Sequence, residues 1–397
     1  MTTDDSAASV GPRWIRVMRA RQPAEAHRAA TPLELFFDLC FVVAVSLAAA
    51  GLHHALVENH VADGVLGYLM VFFAIWWAWV NFTAFASAYD TDDELYRITT
   101  LVQIAGALVL AAGVPAALDR RDFAVITCGY VIMRLAMVAQ WLRAARSDPP
   151  RRTCALRFAG GIALVQLGWV VRLALPGGWG LVGFVVLAVA ELAVPVWAER
   201  AGPTTWHPGH MAERYGLFTL IVLGEVVLAA TSTIQEVLTV GEHVGALLGL
   251  AGAGLVIVFS MWWLYFDEPA PRQLAALPVV LSWAYGHYPV FASVAAVGAG
   301  LEVAVAYDTG HSQLGPLAAG WATAVPVAVY LLSVWLLRVR GRPDGRLRSL
   351  DVLFPLVAML VLVSPWSNVP IHLTAALLAV LVVISTVVKR RAGRQSS

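Results

Sequence analysis

The sequence predicts an all-α integral membrane protein with about twelve membrane-spanning helices. Of its 397 residues, 59% are hydrophobic and only 13% are charged, and the mean hydropathy is +0.72. This composition lies far outside the usual range of soluble globular domains. Apolar stretches of about 20 residues, the length of helix that crosses a hydrocarbon layer, recur from one end of the chain to the other.

A search for such stretches finds twelve apolar windows. They cover residues 34–56, 64–86, 95–118, 123–145, 155–175, 180–198, 211–232, 244–266, 279–301, 315–337, 351–364 and 370–388. The eleventh window is shorter than the others, so its exact bounds stay open. Because the number of windows is even, the two termini are predicted on the same side of the membrane.

The basic residues predict which side that is. When the N-terminus is placed in the cytoplasm, all but four of the 27 lysine and arginine residues fall in or beside cytoplasmic segments. The exceptions are Arg120, Arg121 and Arg172, on the outer side, and Arg134, inside the fourth window. Cytoplasmic loops of membrane proteins carry an excess of lysine and arginine. Both termini are therefore predicted to be cytoplasmic.

Related motifs predict that the chain consists of two six-helix repeats. The matching pairs are Glu34 with Glu213, Trp76-Trp77 with Trp262-Trp263, and Trp141 with Trp335. An even number of helices per repeat gives two halves related by an axis along the membrane normal. The predicted divisions are a cytoplasmic arm (1–33), the first repeat (34–198), a cytoplasmic linker (199–212), the second repeat (213–388) and a cytoplasmic tail (389–397).

Two carboxylates stand at the start of the first window. Glu34 and Asp38 are four residues apart, so a helix presents both on one face. A charged side chain at the centre of a membrane helix costs about 2.5–3.5 kcal/mol on insertion scales, and such residues are functional candidates by default. With Glu213 they are predicted to form an inner acidic vestibule, in which Asp38 lies deepest and Glu34 and Glu213 extend toward the interface.

Four further ionisable residues lie deep in the apolar windows. Helix rise places Arg134, Glu191 and Glu225 about 15 Å from the membrane surface. Arg134 and the two carboxylates either line a solute or ion pathway or form a salt bridge that only fixes helix registry. His287, in the ninth window, either relays protons or makes a neutral hydrogen-bonded helix contact.

An aromatic and acidic rim is predicted at the cytoplasmic ends of the second and eighth windows. Its members are Trp76, Trp77, Asn81, Asp90, Asp92, Asp93, Trp262, Trp263 and Asp267. The tryptophans are typical of interfacial belts, and a cation-binding aromatic box is the alternative. The acids are interpreted as solvated loop residues; alternatively, the clusters Asp90–Glu94 and Asp267–Glu268 hold Mg²⁺ and a diphosphate.

No metal site or cofactor is expected. Histidine-containing groups around His53 and His207 are interpreted as ordinary loop residues, and Pro208-Gly209 is expected to interrupt any helix that would align His207 with His210 and Glu213. Lys389 is the single lysine, which excludes a phosphate-binding loop ending in Gly-Lys-Ser/Thr. The expected partners are the lipid bilayer and an unidentified small solute or ion, with no nucleic acid.

Four motifs in order resemble the bacterial low temperature requirement protein A family. They are Glu34-Leu-Phe-Phe-Asp38, the Trp76-Trp77 run continuing to Asp90-Thr-Asp92-Asp93, His210 to Phe218 leading to Gly224-Glu225, and Trp262-Trp263-Leu-Tyr265-Phe-Asp267. The resemblance covers essentially the whole chain. It implies a multi-pass protein of the bacterial cytoplasmic membrane. The family is named for a growth phenotype in the cold, and its biochemical activity is largely unassigned.

The predicted function is movement of a small solute or ion through a helix bundle lined by buried carboxylates, which bind the solute or carry protons. One alternative is a membrane-embedded, Mg-dependent enzyme of the prenyl-diphosphate type that uses the acidic clusters of the rim. Another is a non-catalytic membrane factor whose charges only hold the fold. The sequence favours a transport protein over an enzyme.

Overall fold

The computed structural model describes residues 14–21, 29–176, 178–240, 244–267, 274, 276–340 and 349–395, and these residues form twelve α-helices and two short 3-10 turns without strands. The helices are α1 Pro32–Val57, α2 Val61–Tyr89, α3 Glu94–Arg120, α4 Ala124–Ser147, α5 Arg152–Arg172, α6 Trp179–Glu199, α7 Pro208–Val240, α8 Val244–Phe266, α9 Leu277–Asp308, α10 Pro316–Arg340, α11 Ser349–Val363 and α12 Pro370–Gln395.

Each predicted window coincides with one of these helices, which confirms the all-α, twelve-helix prediction. Among the described residues, 10 helices are long and apolar enough to cross a membrane, and the segment Asp351–Trp366 is shorter, as its window indicates. Large apolar side chains on the outer helix surfaces are exposed, for example Leu164 on α5 and Val186 on α6. The protein is therefore a polytopic membrane protein.

The beginning of α1 explains the position of its first carboxylate. Thr31 caps the helix: its hydroxyl accepts the Glu34 N–H at 3.3 Å, and the Glu34 carboxylate accepts the Thr31 N–H at 2.7 Å. Pro32 follows at the first helical position, where its missing N–H costs nothing. This reciprocal capping box fixes the Glu34 side chain at the helix end.

The beginning of α7 differs from the prediction. Pro208 and Gly209 were expected to interrupt the helix, but α7 begins at Pro208, since proline is favoured in the first turn. The Nδ1 atom of His207 accepts the His210 N–H at 3.0 Å and so replaces a missing intrahelical partner. His210 and Arg214 consequently lie four residues apart on one helical face.

Corresponding helices pack together in the two halves of the chain. In the first half α1 contacts α2 and α3, α3 contacts α4, α4 contacts α5, and α5 contacts α6; α7 to α12 repeat the same order of contacts. Helix α1 also packs against α7 and α9 and so lies between the halves. This correspondence is what a six-helix repeat requires, but the repeat, its bounds and the cytoplasmic termini stay predictions.

Helix α2 is an interior helix, which corrects part of the predicted rim. Trp76 and Trp77 lie at the middle of α2 and are buried, and Asn81 is buried one turn further along. The rim prediction was therefore wrong for these three residues. Interfacial tryptophans are exposed at a helix end. Of the four tryptophans in the predicted rim, Trp262 and Trp263 on α8 fit this description, being 45% and 43% exposed.

Candidate functional site

Two carboxylates from α1 meet two basic side chains from α7 in a cluster with no solvent access. Glu34, Asp38, His210 and Arg214 are each 0% exposed. Arg214 Nε lies 3.0 Å from Asp38 Oδ2, Arg214 Nη1 lies 3.1 Å from Glu34 Oε1, and His210 Nε2 lies 3.1 Å from the same Glu34 oxygen. We call these four residues the inner cluster. Acidic groups on α1 thus face basic groups on α7.

The inner cluster is held in place by an aromatic side chain from α2. Trp79 Nε1 donates to Asp38 Oδ1 at 2.7 Å, and the guanidinium carbon of Arg214 lies 5.6 Å from the Phe82 ring centroid. A fork of donors on a carboxylate is a strong and directional pairing, and a guanidinium also packs well against aromatic faces. The predicted acidic vestibule is thus a charge-paired site.

Glu34 and Glu213 occupy different positions from those predicted. Glu34 is buried in the inner cluster and does not extend toward the membrane interface. Glu213 is half-buried on α7 and accepts the Ala30 N–H at 3.4 Å, a long hydrogen bond to the segment before α1. Glu34 and Asp38 therefore lie together, whereas Glu213 contacts the chain leading into α1, and a vestibule role for these acids stays a prediction.

A second polar set lies further along the same two helices. Ser46 on α1 donates to Glu225 on α7, Glu225 interacts electrostatically with Glu302 on α9, and His53 Nδ1 lies 3.8 Å from Glu302 Oε2. We call Ser46, His53, Glu225 and Glu302 the outer set. Among the described residues, neither of its carboxylates contacts an arginine or lysine.

The inner cluster and the outer set share one face of α7. Arg214 and Glu225 are eleven residues apart, which is about three helical turns or 16 Å along the axis. Aromatic side chains fill the space between these levels: the Trp79 and Phe218 rings stack at 4.4 Å, and the Phe291 centroid lies 5.0 Å from that of Phe218. We call these three rings the aromatic layer. The α1–α7 interface is therefore polar at two levels and closed between them.

The predicted midplane ion pair forms between Arg134 and Glu191. Glu191 is fully buried and also accepts hydrogen bonds from Trp77 Nε1 at 2.8 Å, Tyr130 OH at 3.0 Å and Trp169 Nε1 at 3.2 Å. So many donors leave this carboxylate little capacity for a ligand, an arrangement suited to fixing the registry of α2, α4, α5 and α6. The pathway role of both residues stays a prediction.

Glu225 does not join this pair, since its contacts are with Ser46 and Glu302. The shared depth inferred from helix rise thus grouped three residues that belong to two separate networks. A common depth does not determine which face of the bundle a side chain occupies.

His287 has the geometry of a neutral helix contact. Its Nδ1 lies 2.7 Å from the Trp283 carbonyl oxygen and its Nε2 lies 2.9 Å from the Tyr265 hydroxyl. The carbonyl can only accept, so Nδ1 carries the proton and Nε2 accepts from the tyrosine. Both nitrogens are satisfied without a second proton.

The acids of the predicted rim are engaged individually. Asp93 caps α3, accepting the Tyr96 N–H at 2.8 Å, and it also accepts the Arg16 N–H at 2.7 Å and pairs with Arg143. Burial acts to raise the pKa of Asp93, but these hydrogen bonds outweigh it and hold the pKa below its usual range. Asp93 thus holds the N-terminal segment 14–21 against α3 and α4.

The other rim acids have separate partners. Asp92 forms an exposed pair with Arg97, Nε to Oδ1 at 2.8 Å, and Asp267 pairs with Lys389 at 2.6 Å. Asp90 is buried and accepts the Asp92 N–H at 2.9 Å. Glu268 lies outside the described residues. Among the residues that are described, no group of three or more histidine, cysteine, aspartate and glutamate side chains has metal-binding geometry.

Sequence reasoning missed the two basic members of the inner cluster. Arg214 was grouped with the cytoplasmic basic residues and His210 with the ordinary loop residues, because His210 precedes the seventh apolar window and Arg214 stands at its start. A signal was present: His210 and Arg214 have the same four-residue spacing as Glu34 and Asp38, and they stand at the start of the helix that opens the second predicted repeat. Complementary charges with equal spacing at the starts of two helices favour a contact between those helices.

Two comparisons with known proteins place the chain among its relatives. The sequence profile of the bacterial low temperature requirement A protein (LtrA) matches residues 29–388. An uncharacterized protein of Rhizobium meliloti (strain 1021) is 26% identical over 378 residues, which cover 85% of this chain and 83% of that protein. The match begins before α1, ends within α12 and includes the whole of the inner cluster and outer set. The chain belongs to the bacterial low temperature requirement A family.

Proposed function

We propose that this protein moves a small solute or ion across the bacterial cytoplasmic membrane along the α1–α7 interface. The observation that carries the proposal is the outer set. Glu225 and Glu302 lie close together, partly exposed, and have no arginine or lysine contact within the described residues. Carboxylates at membrane depth that lack a fixed cation mark ion or proton pathways.

The chemistry of the outer set suits a positively charged cargo. Two neighbouring carboxylates repel each other, so a shared proton or a bound cation lowers their energy. The Ser46 hydroxyl adds an oxygen, and the His53 ring lies beside Glu302. The inner cluster differs, because Arg214 already neutralises much of the charge of its two carboxylates.

The interface also has the position expected of a transport pathway. Helices α1 and α7 open the two proposed repeats, and binding sites of repeat-built carriers lie where the repeats meet. In the present conformation the aromatic layer separates the outer set from the inner cluster. A small movement of α1 and α2 against α7 and α9 would separate the rings, and the proposal requires such a movement.

Flux measurements in proteoliposomes test the proposal. Vesicles carrying a pH-sensitive dye are exposed in turn to a proton, potassium or sodium gradient. We expect flux through the natural protein and its loss in Glu225→Gln, which keeps the side-chain shape but loses the charge. Asp92→Asn is the matched control, because that exposed carboxylate is solvated and paired only with Arg97. No flux above that of empty vesicles, or equal flux in Glu225→Gln, contradicts the proposal.

The two alternative functions have less support. A Mg-dependent diphosphate enzyme needs acids that are available to metal, whereas Asp93 and Asp267 are paired with Arg143 and Lys389. A non-catalytic membrane factor would explain the Arg134–Glu191 network but gives no reason for two adjacent carboxylates in the outer set. The flux experiment also separates this last alternative, which predicts no flux under any gradient.

A further inference from the structure

A cavity of about 70 Å³ lies between α2, α4, α5, α6 and α9, beside the connection that leads into α7. Five aromatic rings line it: Trp77, Trp141, Phe158, Trp206 and Tyr285. The Glu199 carboxylate, at the end of α6, and the Asn81 amide are polar groups in the same wall. The cavity is therefore an aromatic enclosure with one acidic side chain.

The aromatic walls are fixed before any ligand arrives. Trp141 and Phe158 stack with centroids 4.1 Å apart and planes 5° from parallel. Trp206 Nε1 donates to the Leu274 carbonyl at 2.9 Å, and the Tyr285 hydroxyl donates to the Leu192 carbonyl at 3.0 Å. Rings held by such contacts lose little conformational entropy on binding.

The carboxylate in the wall is buried but has no cation in contact. Glu199 is 7% exposed, and its oxygens accept the Thr204 N–H at 2.8 Å and the Thr204 hydroxyl at 2.6 Å. Among the described residues no lysine, arginine or histidine forms an ion pair with it. The nearby Arg151 interacts with Glu199 electrostatically, but its direct contacts are with Asp148 and the Pro203 carbonyl. Glu199 thus places a carboxyl group against an aromatic enclosure.

We propose that this cavity binds a small organic cation of the methylated ammonium class. Aromatic faces attract weakly hydrated cations, and quaternary and methylated ammonium groups are the ligands that aromatic cages recognise. A carboxylate at the wall adds charge attraction in a site of low dielectric. A hard metal ion fits poorly, because it requires several oxygen ligands and the wall supplies one carboxylate. The volume, well below the about 150 Å³ that holds benzene, limits the ligand to a few heavy atoms.

The site is separate from the α1–α7 interface. Trp77, Asn81 and Ala84 line the cavity from one face of α2, whereas Trp79 and Phe82 point to the inner cluster from the opposite face. The inference therefore goes beyond the proposed transport function. Its test measures binding and not flux, so the two proposals succeed or fail independently.

Isothermal titration of the purified full chain with trimethylammonium chloride tests the inference. We expect saturable binding, and no comparable binding of tert-butanol, which has a similar shape but no charge. Glu199→Gln should weaken trimethylammonium binding at least tenfold because it removes the charge while retaining an acceptor for Thr204. Trp206→Leu, which removes one ring, should also weaken it. Glu58→Gln is the matched control, since Glu58 is exposed at the opposite end of the bundle.

Thermal unfolding of each variant shows whether the fold is retained, and Trp206→Leu decides the matter if Glu199→Gln does not fold. The inference is overturned if the natural protein does not bind trimethylammonium, or if tert-butanol binds equally well, which would indicate an ordinary apolar cavity. Unchanged affinity in a folded Glu199→Gln or Trp206→Leu protein, or an equal loss in Glu58→Gln, overturns it as well.

Discussion

Arg214 on α7 holds Asp38 on α1 through two hydrogen bonds, from Nε to Oδ2 at 3.0 Å and from Nη2 to Oδ1 at 2.5 Å. The two residues are separated by 176 positions in the chain and belong to different proposed repeats. Their pairing joins the first helix of one half to the first helix of the other. The inner cluster thus fixes the relative position of the two helices between which we place the transport pathway.

The pairing predicts that the inner cluster is essential for the fold. Arg214→Gln removes the only guanidinium of the cluster and leaves buried charge on Glu34 and Asp38, and breaking a buried pair costs about 3–5 kcal/mol. We expect a sharp fall in folded yield and in melting temperature in detergent. Arg97→Gln, which breaks the exposed pair with Asp92, should change the yield and the melting temperature very little. Equal effects of the two changes would show that burial of the cluster has no energetic consequence.

The Arg134–Glu191 pair predicts a recoverable loss of stability. Arg134→Met alone leaves the Glu191 charge buried, so the melting temperature should fall strongly. Adding Glu191→Gln removes that charge while its amide oxygen still accepts from Trp77 and Tyr130, so much of the loss should be recovered. A double-mutant cycle on melting temperature measures the coupling. If the double variant is no more stable than the single one, the two residues do not act as a pair.

The depressed pKa of Asp93 predicts that acid releases the N-terminal segment. The pKa of the Asp93 carboxyl is lower in the folded protein than in the unfolded chain, so this group stabilises the fold at pH values above the unfolded pKa. The contribution is lost as the pH falls through the folded pKa. The contacts of Asp93 with Arg16 and Arg143 should therefore persist at neutral pH and weaken below about pH 4. Acid-resistant cross-linking or hydrogen exchange at residues 14–21 measures the release.

At neutral pH, Asp93→Asn should produce the same release, because an amide keeps the cap but loses the charge that pairs with Arg143. Trypsin cleavage after the exposed Arg19 should then become faster than in the natural protein. Asp92→Asn, one residue away and paired only at the surface, is the matched control. Equal rates of trypsin cleavage in the two variants would show that Asp93 does not hold the segment in place.

Hydropathy predicted the helices because membrane insertion depends on local composition. Each apolar window specifies its own helix, and the short eleventh window corresponds to the short helix α11. Contacts between distant helices have no such local signal. Depth alone could not show that Arg134 meets Glu191 while Glu225 meets Ser46, since this depends on which faces pack together.

The tryptophans of α2 show the same limit. Tryptophan prefers the membrane interface, and that preference describes Trp262 and Trp263 but not Trp76 and Trp77. The difference arises because α2 is surrounded by other helices and offers Trp77 a buried acceptor, Glu191. Composition gives the general preference of a residue type; the packing of a particular helix decides whether it applies.

The distribution of arginine predicts the orientation of the bundle. Reporter fusions after residues 60, 240 and 310 should lie outside the cytoplasm, and fusions after residues 148 and 205 should lie inside it, because the inner connections carry the excess of basic residues. Alkaline phosphatase activity and fluorescent-protein emission report the two locations. Inversion at a single connection would mean that one helix beside it does not cross the membrane. Inversion at every position would place the inner cluster on the outer side and reverse the direction of the proposed pathway.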